Sequence, residues 1–234
     1  RNPWFNKCST FTEEERDRYG LRGLLPPRVS SVEEQISRLE EVIASQPTAL
    51  GKYLILDGIH SSDEIAFFRL SINDRGRVRE LIKNVPTHNV EMIVVTDGQR
   101  ILGLGDLGIN GMGIPIGKLA LYTACAGINP QHVLPVTLDV GTNNESYLSD
   151  PLYLGLQQKR VDGDDYYALV QEFIEAARER WPNVVIQFED FQNTHAFELL
   201  KRWQDKIPCF NDDIQGTASV SVVLGHARQG RKAL

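Results

Sequence analysis

The stretch that decides the fold is EMIVVTDGQRILGLGDLGINGMGIPIGKLALYTACAGI, residues 91–128 of a 234-residue chain. It opens with a β-branched run that ends at Asp97-Gly98, passes through a glycine-rich segment, and closes with a helical pattern at about 115–127. Three further patterns follow: a second β-branched run, VLPVTLDVG, at 133–141, a helical pattern at about 164–180, and a third β-branched run, NVVIQFED, at 183–190. Buried strands that alternate with helices predict an α/β fold, with a mainly parallel sheet flanked by helices.

Residues 1–65 predict a helical N-terminal extension to this sheet. The segment TFTEEERDRYG offers a threonine cap at Thr10 or Thr12, followed by acids that a helix dipole favours in its first turn. The prolines of the PPRVSS segment are expected to stop that helix, and one of its two serines to cap the next.

Composition narrows the class of protein. The chain has 25 basic and 31 acidic side chains, a net charge of -6 and a pI near 5.4. This acidic balance argues against nucleic acid or an anionic membrane as a partner, because both require a basic footprint. Three separated cysteines form no CxxC pair, which indicates a reducing compartment. The sequence shows neither a membrane span nor the apolar core of a signal peptide, so we expect an intracellular protein.

The glycine-rich segment resembles a nucleotide loop only weakly. Gly103, Gly105 and Gly108 match GxGxxG, but no acidic residue between Asp106 and Asp139 is available for a ribose. A P-loop is also disfavoured, since a leucine follows the lysine where Ser or Thr would hold magnesium. Neither nucleotide pattern therefore accounts for this segment.

Two basic side chains near the glycine-rich segment each allow two interpretations. Lys118 is the lone charge in the apolar stretch GIPIGKLALYTACAGI. Its amine is either desolvated, with a lowered pKa suited to a general base, or snorkels from a buried helix to the surface. Arg100 follows the first strand, where it either clamps a carboxylate or is a solvated strand-end arginine.

Two pairs of acids suggest a cation site. Glu189 and Asp190 end a buried-looking strand, and Asp212 and Asp213 precede a helix expected to start near Ile214. Carboxylates without basic neighbours suit Mg²⁺ or Mn²⁺. A solvated pair at the strand end and simple helix capping are the alternatives.

In combination these motifs resemble the malic enzymes, in the same order and with similar spacing. The matching stretches are GLRGLLPPRV, VVTDGQRILGLGDLGINGMGIPIGKLALYTACAGI, LPVTLDVGTNN, DPLYLGL, IQFEDF and FNDDIQGTA. The resemblance implies the N-terminal domain of a family that oxidatively decarboxylates (S)-malate to pyruvate and CO₂, using NAD⁺ or NADP⁺ and Mg²⁺ or Mn²⁺. It also implies a homo-oligomer in the mitochondrial matrix or the cytoplasm.

The resemblance assigns roles to seven side chains. It implies a general base at Lys118 with Asp212 beside it, a substrate-binding arginine at Arg100, metal ligands at Glu189, Asp190 and Asp213, and a cofactor-binding asparagine at Asn193. It also places a substrate and metal domain at 66–223 and a divergent tail at 224–234, so we expect the family's NAD(P)-binding domain to be missing from this sequence.

One internal departure bears on activity. The family has a block with a YTPTVG-like motif whose tyrosine donates a proton, whereas here Phe67 to Leu70 run directly into SINDRGRV. Two hypotheses follow. The chain carries out malic-enzyme chemistry together with the missing parts, or it is a non-catalytic module that associates with itself or with full-length subunits.

Overall fold

A computed structural model describes residues 8–48 and 68–222. Its centre is a five-stranded sheet: β1 Phe68–Ser71, β2 Met92–Thr96, β3 Val133–Asp139, β4 Val185–Phe188 and β5 Cys209–Asn211. Every neighbouring pair is parallel, and the strand order is β1-β3-β2-β4-β5. The predicted parallel sheet is confirmed, with two edge strands, β1 and β5, that the sequence patterns did not indicate.

Seven α-helices have defined bounds: α1 Glu13–Arg18, α2 Val32–Ala44, α3 Val78–Leu81, α4 Gly113–Ala126, α5 Glu145–Ser149, α6 Asp164–Arg180 and α7 Asn193–Trp203. Residues 217–222 are also helical. The helices predicted at about 115–127 and 164–180 correspond to α4 and α6. Within the described ranges, no helix combines the length and apolar character needed to cross a bilayer.

Helices cover both faces of the sheet. Along β2, Ile93 and Val95 join the large core shared with α3, α6 and α7, whereas Met92 and Val94 join a smaller core on the other face. Leu119 of α4 packs into that smaller core. Strands buried on both faces read as continuous apolar runs, which is why these segments were visible in the sequence.

Helix α4 is less buried than its apolar sequence predicted. Its Pro115 and Leu119 are buried against the sheet, but Leu121 on the opposite side is 60% exposed. One long face of α4 is therefore exposed to solvent.

In its described part, residues 8–48, the N-terminal extension is helical, as predicted, but its first α-helix is short. Thr12 rather than Thr10 caps α1, in a reciprocal capping box with Glu15. The prediction that the proline pair stops this helix was wrong: α1 ends at Arg18, just before Gly20 turns the backbone at a φ of 62°. Ser31 exchanges hydrogen bonds with Glu34 at the start of α2.

A buried arginine joins the extension into one unit. Arg16 is 2% exposed, and its guanidinium donates to the backbone carbonyls of Ser9, Pro26 and Arg28. The predicted tail at 224–234 and the chain around the predicted boundary at residue 65 lie outside the described residues, so these boundaries stay predictions.

Candidate metal and substrate site

Five of the seven side chains singled out in the sequence follow three neighbouring strands of the sheet. Arg100 comes after β2, Glu189 and Asp190 directly after β4, and Asp212 and Asp213 directly after β5. Because the carboxyl ends of parallel strands lie at one edge, these side chains meet there. Together they line a candidate site at that edge.

Three of the acids form what we call the carboxylate cluster: Glu189, Asp190 and Asp213. One oxygen of each lies within 4.8 Å of an oxygen of the others. Burial raises the pKa of Glu189 to about 7 and that of Asp190 to about 6, and the negative charge of Asp213 adds to both shifts. The cluster therefore holds more negative charge than its surroundings compensate.

The carboxylate cluster fits a hard divalent cation. Asp190 Oδ1 is buried and has no hydrogen-bond partner among the described residues. The backbone of Asp190 adopts a φ of 55°, a region that non-glycine residues rarely occupy, while its N–H donates to Asp213 Oδ2 at 2.9 Å. A buried carboxylate oxygen without a donor is available to a hard cation, which takes oxygen ligands.

Lys118 reaches this cluster from α4. Its Nζ lies 2.5 Å from Asp212 Oδ2 and 3.2 Å from Glu189 Oε1. Burial lowers the pKa of Lys118, but the two carboxylates outweigh burial and raise it above the ordinary value. Both sequence interpretations of Lys118 were therefore incomplete. The pKa of the amine is not lowered, and the side chain does not snorkel away from the protein. Instead the amine pairs with two carboxylates that follow strands distant from it in sequence.

Arg100 and Asn193 lie together at the exposed rim. The guanidinium of Arg100 donates to Asn193 Oδ1, and the Arg100 N–H donates to the Asp190 carbonyl at 3.2 Å. The structure thus brings all seven predicted side chains to one edge of the sheet. Their catalytic, substrate-binding and metal-binding roles stay predictions.

Asp212 and Asp213 are not helix caps. Asn211 precedes them as the cap and accepts the Ile214 N–H at 3.1 Å. The helical turn starts at Asp212, as a π-helical turn over Asp212–Gly216, rather than near Ile214 as predicted. Both carboxylates are thereby left for the site, one toward Lys118 and one toward Asp190.

The amides of the glycine-rich segment are engaged with the protein itself. Donors at four positions have intramolecular acceptors: Gly105 N to Ile101 O, Leu107 N to Gly98 O, Gly108 N to Asp106 Oδ1, and Ile109 N to Tyr153 Oη. A pyrophosphate cradle needs such amides to point at the ligand. The segment instead links the turn after β2 to the start of α4.

A second set of buried charges, missed in the sequence, supports this link. We call it the arginine cluster: Asp97, Asp106 and Arg160. The Arg160 side chain is 4% exposed; it contacts both oxygens of Asp106, at 2.8 and 2.7 Å, and donates to the Asp97 carbonyl at 2.9 Å. Asp97 also accepts from Tyr166 Oη at 2.8 Å. Only the three-dimensional structure reveals the cluster, because Arg160 lies in an irregular loop far from both acids in sequence.

Comparison with known proteins gives a consistent picture. The sequence model of the family described as malic enzyme, N-terminal domain, matches residues 56–204. Three relatives are the NAD-dependent malic enzyme 59 kDa isoform, mitochondrial, of Solanum tuberosum (48% identical, covering 98% of this chain and 46% of that protein), the NAD-dependent malic enzyme 1, mitochondrial, of Arabidopsis thaliana (47%, 98% and 45%), and the NAD-dependent malic enzyme of Colwellia psychrerythraea (46%, 94% and 46%).

The chain spans about half the length of the curated relatives it matches. The alignment with the Solanum tuberosum protein runs over 279 positions, more than the 234 residues of this chain. That relative therefore has residues within the aligned region that this chain lacks.

Proposed function

Since the chain belongs to the malic enzyme family, we propose that it supplies the substrate and metal half of an NAD-dependent oxidative decarboxylation of (S)-malate to pyruvate and CO₂. The observation that carries this proposal is the position of Lys118, whose amine contacts Glu189 of the carboxylate cluster at 3.2 Å. A proton acceptor, a cation site and an arginine converge at one sheet edge. These three groups suit the oxidation of a hydroxy acid: one takes the hydroxyl proton, one polarises the oxygen, and one binds a carboxylate.

The metal role falls to Glu189, Asp190 and Asp213. Their oxygens suit Mg²⁺ or Mn²⁺, and the unsatisfied Asp190 Oδ1 marks the position in most need of a positive partner. When bound, such an ion acts as a Lewis acid that polarises the C2 oxygen of the substrate.

The proposed roles of the other four side chains follow from their positions and charges. Arg100 is exposed at the rim, where its guanidinium can pair with a substrate carboxylate. Because its carboxylate partners keep Lys118 protonated, its amine must first pass a proton to Asp212 Oδ2, 2.5 Å away. The neutral amine is then the proposed acceptor of the substrate hydroxyl proton. Asn193 holds Arg100 and lies on the outer side, where a dinucleotide would approach.

The relatives' names point to one cofactor. All three proteins are called NAD-dependent, so we propose NAD⁺ rather than NADP⁺ as the hydride acceptor. Two of these names also include the word mitochondrial. The mitochondrial matrix or the cytoplasm, and a homo-oligomeric state, remain our proposals for this chain.

A second candidate function is a non-catalytic module that associates with itself or with full-length subunits. It is supported by the missing YTPTVG-like block and by the residues that the Solanum tuberosum protein has in addition. Size-exclusion chromatography with light scattering tests it. A complex with a full-length malic enzyme supports the module, and a strictly monomeric chain that ignores that partner contradicts it.

Calorimetry with Mn²⁺ tests the metal half of the main proposal. We expect the chain to bind Mn²⁺ weakly and Asp213→Ala to lose that binding, with the exposed Asp165→Ala as a matched control. Equal Mn²⁺ binding by the Asp213→Ala variant would contradict the assignment. Because residues 1–234 span about half the length of the three relatives, we also expect them to form no NADH from malate on their own, and NADH formation would contradict that expectation.

A further inference from the structure

Gln187 is a buried polar side chain in the middle of an otherwise apolar strand. It lies on β4 between Ile186 and Phe188, and its exposed fraction is 0%. Burying an amide is unfavourable unless both of its ends are hydrogen-bonded. Gln187 meets that condition: its Nε2 donates to Glu189 Oε2, and its Oε1 accepts from Tyr122 Oη at 2.5 Å.

The direction of this chain of hydrogen bonds follows from the charge at its end. A Glu189 carboxylate that binds a cation is ionised and only accepts hydrogen bonds, so the amide nitrogen of Gln187 must face it. The amide oxygen then faces Tyr122, whose hydroxyl must donate. A flipped amide would place its oxygen against the carboxylate. The Tyr122 hydroxyl, which donates to the amide oxygen, thereby supports the amide orientation that the Glu189 carboxylate requires.

Helix α4 supports both oxygens of Glu189. Lys118 and Tyr122 are four residues apart and lie on the same side of the helix. Lys118 Nζ contacts Glu189 Oε1 at 3.2 Å, while Tyr122 acts on Oε2 through Gln187. Two side chains of one helix thus define the rotation of this carboxylate about its long axis.

From this arrangement we propose that Gln187 and Tyr122 are positioning residues that orient Glu189 for a divalent cation. The inference rests on the proposed function, because it assumes that the carboxylate cluster binds Mg²⁺ or Mn²⁺. Partners of metal-binding side chains hold them in the coordinating orientation before the ion arrives. Gln187 has that relation to Glu189, and Tyr122 has it to Gln187.

The test is the Mn²⁺ affinity of the purified chain, measured by calorimetry for two variants. Gln187→Met keeps the length of the side chain but removes both hydrogen bonds, so we expect an affinity about 10- to 100-fold lower. Tyr122→Phe removes the donor to the amide oxygen, so Gln187 is held less firmly against Glu189 and we expect a loss of about 2- to 10-fold. Tyr167→Phe, on helix α6, is the matched control and should leave the affinity unchanged.

A double variant separates positioning from general destabilisation. If Tyr122 acts only through Gln187, the combined variant binds Mn²⁺ no more weakly than Gln187→Met alone. In the presence of a chelator Tyr122→Phe should melt below Tyr167→Phe, because it leaves the buried Gln187 Oε1 without its donor, but both variants should be folded at the temperature of the affinity measurement. If Gln187→Met does not fold, Tyr122→Phe decides by itself.

Two outcomes overturn the inference, and they are distinguishable. An unaltered chain that binds no Mn²⁺ contradicts the proposed function and the inference together. An unaltered chain that binds Mn²⁺ with the same affinity as Tyr122→Phe contradicts the inference alone.

Discussion

The carboxylate cluster and the arginine cluster lie at the same edge of the same sheet, yet they differ in how their charge is compensated. In the arginine cluster all four carboxylate oxygens of Asp97 and Asp106 have donors: backbone amides, Tyr166 and the fork of Arg160. In the carboxylate cluster Asp190 Oδ1 has none among the described residues. Buried acids alone do not distinguish a ligand site from a structural one. The carboxylate oxygen left without a donor is the reason we propose the carboxylate cluster, and not the arginine cluster, as the ligand site.

The first prediction breaks the arginine cluster. Arg160→Met leaves Asp106 and Asp97 buried without their cation, so we expect the free energy of unfolding to fall by about 3–5 kcal/mol. Urea denaturation followed by circular dichroism measures it. The neighbouring Lys159→Met is the control, because its pair with Glu145 is exposed and should contribute less than about 1 kcal/mol. Equal losses for the two variants would show that Arg160 is no more than a surface charge.

The second prediction compares Gly98, which follows Asp97 of the arginine cluster, with Gly103 of the glycine-rich segment. Gly98 and Gly103 have φ values of 68° and 78°, so alanine is strained at both. At Gly98 a Cβ would also come within 2.0 Å of the Gly108 carbonyl oxygen, whereas at Gly103 it meets no atom within 4 Å. We expect a loss of about 2–4 kcal/mol for Gly98→Ala and about 1 kcal/mol for Gly103→Ala, from the same urea measurement.

If Gly98→Ala and Gly103→Ala lower stability equally, the close contact between the turn after β2 and the glycine-rich segment is not maintained in solution. A larger loss at Gly98 would sharpen the comparison, since it would show that this segment is packed as tightly as a core.

The third prediction concerns the carboxylate cluster without metal. Asp213→Asn removes one negative charge but keeps an oxygen that can accept the Asp190 N–H. In buffer with a chelator we therefore expect stability to be unchanged or to rise by up to about 1 kcal/mol. Thermal melting measures it. A loss of more than about 2 kcal/mol would mean that this cluster, like the arginine cluster, is primarily structural.

The smallest expected effect is a pH dependence at the edge of the arginine cluster. His195 stacks on Tyr166 and meets Tyr167 edge-on; its Nε2 lies 2.9 Å from Asp162 Oδ1 and its Nδ1 3.9 Å from Asp97 Oδ2. Burial lowers the pKa of His195, but the two carboxylates outweigh burial and raise it. Its contribution to stability is therefore complete below the unfolded pKa of about 6.5 and is lost as pH rises through the folded value.

This contribution is measured by comparing the unaltered chain with His195→Gln at about pH 6 and about pH 8.5. The stability difference should be larger at the lower pH, by less than about 1 kcal/mol because Asp162 is exposed to solvent. A difference that grows toward high pH would contradict the sign.

Much of the fold was readable because its central elements follow simple patterns. The strands β2, β3 and β4 are short apolar runs, and α4 and α6 have helical spacing. The strands β1 and β5 lack this signal: β1 contains Arg69, and β5 is only three residues long. Their place in the sheet depends on pairing with β3 and β4, which no local pattern reveals.

The sequence predicted which residues form the candidate site but not how their side chains contact one another. The motifs of the malic enzymes pointed to Lys118 and the acids, whereas the pairing of Lys118 with Asp212 joins residues 94 positions apart. The roles of Arg160 and Gln187 were missed for a related reason. Both are polar side chains whose purpose is defined by partners in other elements.

The connections of the sheet divide the site between two modules. Glu189, Asp190 and Asp213 all belong to the unit β4-α7-β5, whereas Arg100 and Lys118 belong to β2 and α4. The two units meet where β2 pairs with β4. In the roles proposed above, the cation ligands and the groups that face the organic acid are thus encoded in separate stretches of the gene. Because Lys118 and Tyr122 of α4 also support Glu189, a change in either stretch would alter the proposed ion site.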